Sequence, residues 1–279
     1  NKSPEIVFRS RSTKFGRDSF STASSVAWTG FRGAQVHGLY YPPADLEASD
    51  LPPAVVLSHG GPTSQHTMVF YPEVQFFTTR GYAVLQVNYR GSTGYGREYM
   101  LKLRGGWGEL DRQDIVSGAD YLVENRLADP QRLVVMGSSA GGTTALLALI
   151  NHPGLFQAGV CSYAVSNMFN LAYDTHKFEE RYLETMIGAL PESEEIYRER
   201  SALFHIDKIQ DAIIVFQGAD DQVVPREQSD SIADALQKNA VPHEYHVFEG
   251  EGHGWRKTET IEAYYEAVEA FLRLHVLSR

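Results

Sequence analysis

The sequence predicts an α/β fold with a mostly parallel central sheet flanked by helices, and three observations carry that reading. Short, continuously apolar runs recur at 54–57, 83–87, 133–136 and 213–216, each bounded by turn residues. Strands that are apolar at every position are buried on both faces, which in practice means parallel strands covered by helices. Helical patterns separate and follow these runs, and alternation of strand and helix favours a doubly wound sheet. Finally, 279 residues suit one large domain with length enough to bury a continuous core.

Taken in order, residues 1–30 are polar, with scattered Ser, Arg and Lys and little periodicity, and read as a linker, an N-terminal extension or an edge segment. The folded domain is expected over 31–279. Gln35-Val36-His37-Gly38-Leu39-Tyr40-Tyr41 alternates as a strand does, and Pro42-Pro43 end it. After the runs at 54–57 and 83–87, residues 110–126 carry an amphipathic helix through Leu110, Ile115, Ala119, Leu122 and Val123. The run at 133–136 leads into an Ala- and Leu-rich helix at 140–150. Ala158-Gly159-Val160-Cys161-Ser162-Tyr163 reads as a buried strand, with Cys161 an inert core thiol. It is the single cysteine, so no intrachain disulfide forms. The segment 166–204 is aromatic, charged and irregular, and is expected to be a helical cap or excursion above the sheet. Tyr245-His246-Val247-Phe248 follows the run at 213–216 as a last strand. Ile261, Tyr264, Tyr265, Val268, Phe271 and Leu272 then mark a helix with one buried face.

Composition narrows the partners. A formal net charge of −10 would repel both nucleic acid and an anionic membrane surface. No apolar run approaches the ~20 residues needed to cross a bilayer, and no secretory leader pattern opens the chain. A cytoplasmic setting is therefore expected, and a homo-oligomeric state is left open. Because the chain opens at Asn1 and not Met, a fragment of a longer protein is the expectation.

The string richest in chemistry is Met136-Gly137-Ser138-Ser139-Ala140-Gly141-Gly142, a G-x-S-x-G directly after an apolar strand and before an apolar helix. In a nucleophile elbow of the α/β-hydrolase type the serine sits on a tight turn whose neighbours must be small, and here they are. The turn also sets Ser139 at a helix N-terminus, where free N–H groups favour developing negative charge. Ser138 is the rival nucleophile but lies one residue early. No Gly-Lys-Ser/Thr ending is present, and the glycine spacing fits no dinucleotide fingerprint.

An activated serine needs a base, and the base needs an orienting acid. In this architecture they follow in that chain order, acid before histidine. Asp220 and Asp221 lie just past the strand at 213–216, on the edge of an open parallel sheet where ligands bind. Asp220 is the expected acid and Asp221 the alternative, the latter also suited to cap the helix that begins near Pro225. His253, flanked by Gly252 and Gly254 on a loop before the last helix, is the expected base, while His246 within a strand reads as structural. Oxyanion donors are expected at the backbone N–H of Ala140 and of Gly61, the latter in the glycine-rich loop Ser58-His59-Gly60-Gly61-Pro62.

Taken together, these strings resemble the prolyl oligopeptidase family of serine peptidases, and within it the acylaminoacyl-peptidase branch. The resemblance spans about 33–275 and rests on His59-Gly60-Gly61-Pro62, Asn88-Tyr89-Arg90-Gly91-Ser92-Thr93-Gly94-Tyr95-Gly96, Trp107-Gly108 with Asp114, Gly137 to Gly142, Asp220 to Pro225, and Gly252-His253-Gly254. It implies a triad of Ser139, Asp220 and His253, oxyanion donors at Gly61 and Ala140, short peptides as substrates, and a β-propeller of the same full-length chain as partner domain. No Cys/His cluster suggests a metal, and the three triad groups need neither metal nor cofactor. The chain departs from the family at two places: Ala140 stands where an aromatic residue often follows the nucleophile, and Gln222 where an arginine often holds a substrate carbonyl. Gln222, Tyr163 and Phe169 are the expected substrate-binding residues, with Tyr173 a further aromatic candidate. Arg90 and Asp114 are candidates for an ion pair bracing the site. The same apparatus also suits a stand-alone carboxylesterase or dienelactone-hydrolase-like enzyme, and a non-catalytic scaffold on a hydrolase fold is the third reading.

Overall fold

A computed structural model describes residue 16 and residues 19–44, 51–174 and 181–278. Eight strands form one sheet: β1 (Ser24–Thr29), β2 (Gln35–Tyr41), β3 (Ala54–Ser58), β4 (Ala83–Asn88), β5 (Leu133–Ser138), β6 (Ala158–Ser162), β7 (Ala212–Gly218) and β8 (His243–Phe248). Their spatial order is β1-β2-β4-β3-β5-β6-β7-β8. The pairs β1/β2 and β2/β4 are antiparallel and every pair from β4 to β8 is parallel. The expected α/β-hydrolase architecture is present.

Nine α-helices accompany the sheet among the described residues: α1 (Pro72–Thr78), α2 (Arg97–Leu101), α3 (Leu110–Glu124), α4 (Ala140–Asn151), α5 (Met168–Asp174), α6 (Tyr182–Met186), α7 (Glu194–Arg200), α8 (Arg226–Lys238) and α9 (Thr258–Leu272). Because side chains alternate across a strand, each central strand feeds two cores. Val56, Leu85, Val135 and Val215 pack with Ile115 and Leu122 of α3 and Leu146 of α4. Val55, Val84, Val134 and Ile214 pack on the other face with Phe77 of α1 and Tyr264, Val268 and Phe271 of α9. That double burial is why these strands read as unbroken apolar runs.

Of the readings offered for residues 1–30, the edge segment is the one that fits residues 24–29, an edge strand with Trp28 paired to Val36 across β1/β2. β1 is mostly exposed and Trp28 is its one buried residue, so alternation left little trace in its sequence. The described residues of the excursion, 166–174 and 181–204, carry α5, α6 and α7, in line with the expected helical cap. Cys161 is buried in β6, and burial pushes its thiol pKa far up, away from reactivity. No described helix is long and apolar enough to cross a membrane.

The chain runs from β3 to β4 on one side and then returns to β5 on the other. That reversal opens a crevice beyond the C-terminal ends of β3 and β5, the place where open α/β sheets bind ligands.

Candidate active site

Ser139 occupies the single step between β5 and α4, with φ 55° and ψ −127°. A non-glycine residue at positive φ is uncommon, and such strain persists only when the surroundings over-determine it. They do so here. The Ser139 N–H donates to Ser162 O at 2.9 Å, and its carbonyl accepts Thr143 N–H at 3.1 Å. A Cβ at Gly137 would strike the Gly141 backbone, and one at Gly141 would strike Ser58 O and His59 O. The motif's glycines are thus demanded by close backbone approach between the elbow and the end of β3. Ser138, the rival, ends β5 and its side chain is hydrogen-bonded to Tyr163.

The loop after β3 lies against the elbow: a Cβ on Gly60 would sit 3.1 Å from Ser138 O and 3.4 Å from Ser139 Cβ. Gly61 follows at φ 127°, a conformation that glycine adopts readily. This loop is fastened from behind. The Tyr89 hydroxyl donates to His59 O at 3.0 Å and to Pro62 O at 3.1 Å. His59 stacks on the Tyr89 ring, donates from Nδ1 to Gly60 O at 2.8 Å, and sets Nε2 2.8 Å from Ser92 Oγ. Burial lowers the His59 pKa to about 4, against the hydrogen bond to Gly60, which works to raise it. Arg90, between Tyr89 and Ser92, does meet Asp114: Nη2 to Oδ1 at 2.6 Å and Nε to Oδ2 at 2.9 Å, both groups buried. Tyr89 and Ser92 were missed as loop-holding residues, although the string that contains them stands out in the sequence.

The carboxylate that meets the histidine is Asp221, not Asp220, and this corrects the expected acid. Asp221 Oδ2 accepts His253 Nδ1–H at 2.7 Å, with the Asp221 side chain fully buried. Its other oxygen, Oδ1, accepts the backbone N–H of Val223 at 2.8 Å and of Val224 at 2.9 Å. Burial works to raise this carboxyl, but the hydrogen bonds from His253, Val224 and Val223 outweigh it and hold the pKa below its ordinary value. Asp220 is exposed, and its backbone N–H donates to Glu251 O at 2.9 Å. The turn after β7 places the first aspartate outward and the second inward.

Glu251, also missed in the sequence, fixes the histidine loop. It is 2% exposed, and its carboxylate accepts the N–H groups of Arg256, at 3.1 Å, and Lys257, at 2.9 Å, just before α9. Burial works to raise its carboxyl, and these bonds more than reverse that. Between these anchors His253 is one-quarter exposed, its ring 4.5 Å from that of Tyr163. No hydrogen bond joins His253 to Ser139 in this resting state; such contacts tighten when substrate arrives.

Ser139, Gly61, Ala140 and Gln222 share one cavity of about 140 Å³, roofed from the excursion by Asn170, Leu171, Tyr182 and Leu183. Two expected substrate-binding residues fall elsewhere. Tyr163 packs its ring between His253 and Trp255, and Phe169 packs against Tyr197 of α7 and Phe204. Neither lines the cavity. Tyr173 is 77% exposed and also lies outside it.

Comparison with known proteins fits this geometry. The family model described as the prolyl oligopeptidase family matches residues 68–278. The chain belongs to the prolyl oligopeptidase family. It is 35% identical over 225 residues to dipeptidyl peptidase family member 6 of Caenorhabditis elegans, covering 78% of this chain and 30% of that protein. It is 27% identical over 217 residues to acylamino-acid-releasing enzyme 1 of Oryza sativa subsp. japonica, covering 75% of this chain and 28% of the relative. A solved puromycin-hydrolyzing peptidase of Mycobacterium tuberculosis superposes with a TM-score of 0.90 at 40% identity, over 94% of this chain and 40% of that one. The chain thus spans about a third of the length of the curated relatives it matches.

Proposed function

We propose that this chain is the catalytic part of a serine peptidase that hydrolyses short peptides through an acyl-enzyme on Ser139. The observation that carries the reading is a strained Ser139 that shares one cavity with Gly61, Ala140 and Gln222, while His253, hydrogen-bonded to the buried Asp221, packs on Tyr163, whose hydroxyl is bonded to the neighbouring Ser138. In the first half-reaction His253 Nε2 takes the Ser139 hydroxyl proton as Oγ attacks the substrate carbonyl. The carbonyl oxygen becomes an oxyanion, held by the N–H groups of Gly61 and Ala140 at the start of α4. The C–N bond then breaks, the imidazolium returns its proton to the leaving amine, and the acyl group stays on Oγ. Water repeats the sequence, giving the free acid and restoring the serine. Asp221 keeps the imidazole's Nδ1 protonated and stabilises its cation, so that Nε2 faces the hydroxyl as a base.

The family membership supports the reaction class, and the neutral, partly apolar cavity supports short, uncharged acyl groups. A β-propeller of the same full-length chain is part of the proposal, as the element that would restrict access to short peptides. Replacing Ser139 by Ala tests the core of it. The kcat/KM for an N-acetylated short peptide should fall about 10⁶-fold, and labelling by a fluorophosphonate probe should vanish. Turnover within tenfold of wild type would overturn the assignment.

A further inference from the structure

A second strained residue stands beside the elbow, and the mechanism gives it no step. Tyr163 comes directly after β6 and holds φ at 38°. For a bulky side chain a positive φ is an outlier, and such strain persists where the surroundings impose it, often at a functional site. Here the chain is pinned on both sides. The Tyr163 N–H donates to Phe216 O of β7 at 2.7 Å. Two residues on, the Val165 N–H donates to Thr143 Oγ1 of α4 at 3.0 Å, and that hydroxyl donates to Val165 O at 3.0 Å.

That backbone aims the ring into the bend of the histidine loop. It lies 4.5 Å from the His253 ring, tilted by 54°, and 5.3 Å from the Trp255 ring, at 74°. A Cβ on Gly254, between those two residues, would come within 3.9 Å of the Tyr163 hydroxyl. Trp255 is backed in turn by the rings of Phe248, at 5.0 Å, and Tyr264, at 5.9 Å. The Tyr163 hydroxyl is hydrogen-bonded to the side chain of Ser138, the residue before the nucleophile. Tyr163 therefore touches the base and the elbow at once. His253 has use for such a contact. Asp221 holds its Nδ1 at 2.7 Å, but a single hydrogen bond leaves the imidazole free to turn about it, and at rest no bond to Ser139 fixes Nε2.

We propose that Tyr163 is a positioning residue for acyl transfer: its ring sets the plane of the His253 imidazole, and its hydroxyl ties that ring to the elbow, keeping Nε2 in register with Ser139 Oγ. This role rests on the peptidase reading of Ser139 given above and extends it to a residue outside the triad. Tyr163 does not line the cavity, so its loss should act on turnover and leave substrate binding alone.

Two variants test it: Tyr163→Leu removes ring and tie, and Tyr163→Phe removes only the tie. Each is measured alone and combined with His253→Ala, on the p-nitrophenyl ester of an N-acetylated amino acid, whose good leaving group keeps the residual rate of His253→Ala measurable. Tyr163→Leu should lower kcat about 10²-fold with KM within about twofold of wild type, because a displacement of about 1 Å costs that much. Tyr163→Phe should lower kcat about fivefold, the worth of one hydrogen bond. In the His253→Ala background both losses should shrink to less than about twofold, since Tyr163 acts only through the imidazole. A variant that merely folds badly loses the same factor in both backgrounds, and that outcome would overturn the proposal. So would a Tyr163→Leu rate within about twofold of wild type, or a loss carried by KM. Should Tyr163→Leu not fold, Tyr163→Phe decides alone: no loss in the presence of His253, or an equal loss in its absence, overturns the role. Ser139→Ala, run alongside, separates the two kinds of failure. If it turns over the ester as fast as wild type, the assignment of the nucleophile falls and this role with it. If it is inactive while the Tyr163 variants match wild type, the positioning role alone falls.

Discussion

Two halves of the cleft are held in place by different means. The half that carries Ser139 is positioned by shape: glycines let the elbow lie against the end of β3, and neutral hydrogen bonds from Tyr89 and His59 fasten the neighbouring loop. The half that carries Asp221 and His253 is positioned by charge. Two buried carboxylates each collect backbone N–H groups, Asp221 from Val223 and Val224, Glu251 from Arg256 and Lys257. Glu251 also ties the two turns of that half together, because its carbonyl accepts the Asp220 N–H. Backbone shape constrains residue identity at fixed spacing. A carboxylate needs only to be near its donors, so its position is less tightly written in the chain.

The largest effect expected on the charged half comes from the acid. Asp221→Asn should lower kcat/KM by about 10⁴-fold, because the amide can favour the wrong imidazole tautomer while leaving geometry nearly intact. Asp220→Asn, one residue away and exposed, should leave kcat/KM within twofold of wild type, since near-neutral surface changes are the rule. Steady-state kinetics on the two variants compare the adjacent carboxylates directly. The reverse ranking would return the role to Asp220 and break the reading of this turn.

Glu251 should show a smaller effect with a pH signature. Glu251→Gln removes charge-assisted acceptance of two N–H groups, costing about 2–3 kcal/mol of stability, and the loosened loop should lower kcat/KM about tenfold. The folded-state pKa of Glu251 is held below its unfolded value of about 4.3. Its contribution is therefore complete above that value and is lost as pH falls through the folded one. The urea midpoints of wild type and Glu251→Gln should differ at pH 7 and converge towards pH 3. A gap of constant size across that range would contradict an ionised Glu251 clip.

Much of the molecule was legible from the chain because both the sheet and the elbow are problems of shape. Burial on two faces forces continuous apolar strands, and a turn as close as that at Gly137 and Gly141 admits no side chain. The acid was misplaced by one residue because capping the turn before α8 and orienting His253 were weighed as rival jobs. Asp221 does both, one oxygen to each. An aspartate whose carboxylate can reach the N–H groups two and three residues on is fixed enough to orient a base, and that was the available signal. β1 escaped because an exposed antiparallel edge strand buries too little to impose alternation. Tyr163 and Phe169 were chosen for aromatic character, which says nothing of which wall a ring packs against.

The finest contrast between the halves is the pH window in which each loses stability. On the shape-held side the groups that burial pushes down into this range are histidines. Burial lowers His59 to about 4 and holds His66 well below its ordinary value, each from about 6.5 in the unfolded chain. As pH falls below 6.5 the unfolded chain binds protons that the folded one refuses, so stability declines down to the folded value. For His59 alone that amounts to about 2 kcal/mol between pH 7 and pH 5, with His66 adding in the same direction. The carboxylates of the other half lose their contribution only below about pH 4. Glu73, which burial raises to about 7, takes up its proton in the folded state over the same range and works in the opposite sense. The histidine share is therefore read from the urea midpoint of wild type minus that of His59→Gln at half-unit steps from pH 7.5 to 5, a difference that should fall steadily while Asp221 and Glu251 stay ionised. A difference of constant size would mean that His59 accepts its proton in the folded state, and that the loop behind Gly61 is not held by neutral bonds alone.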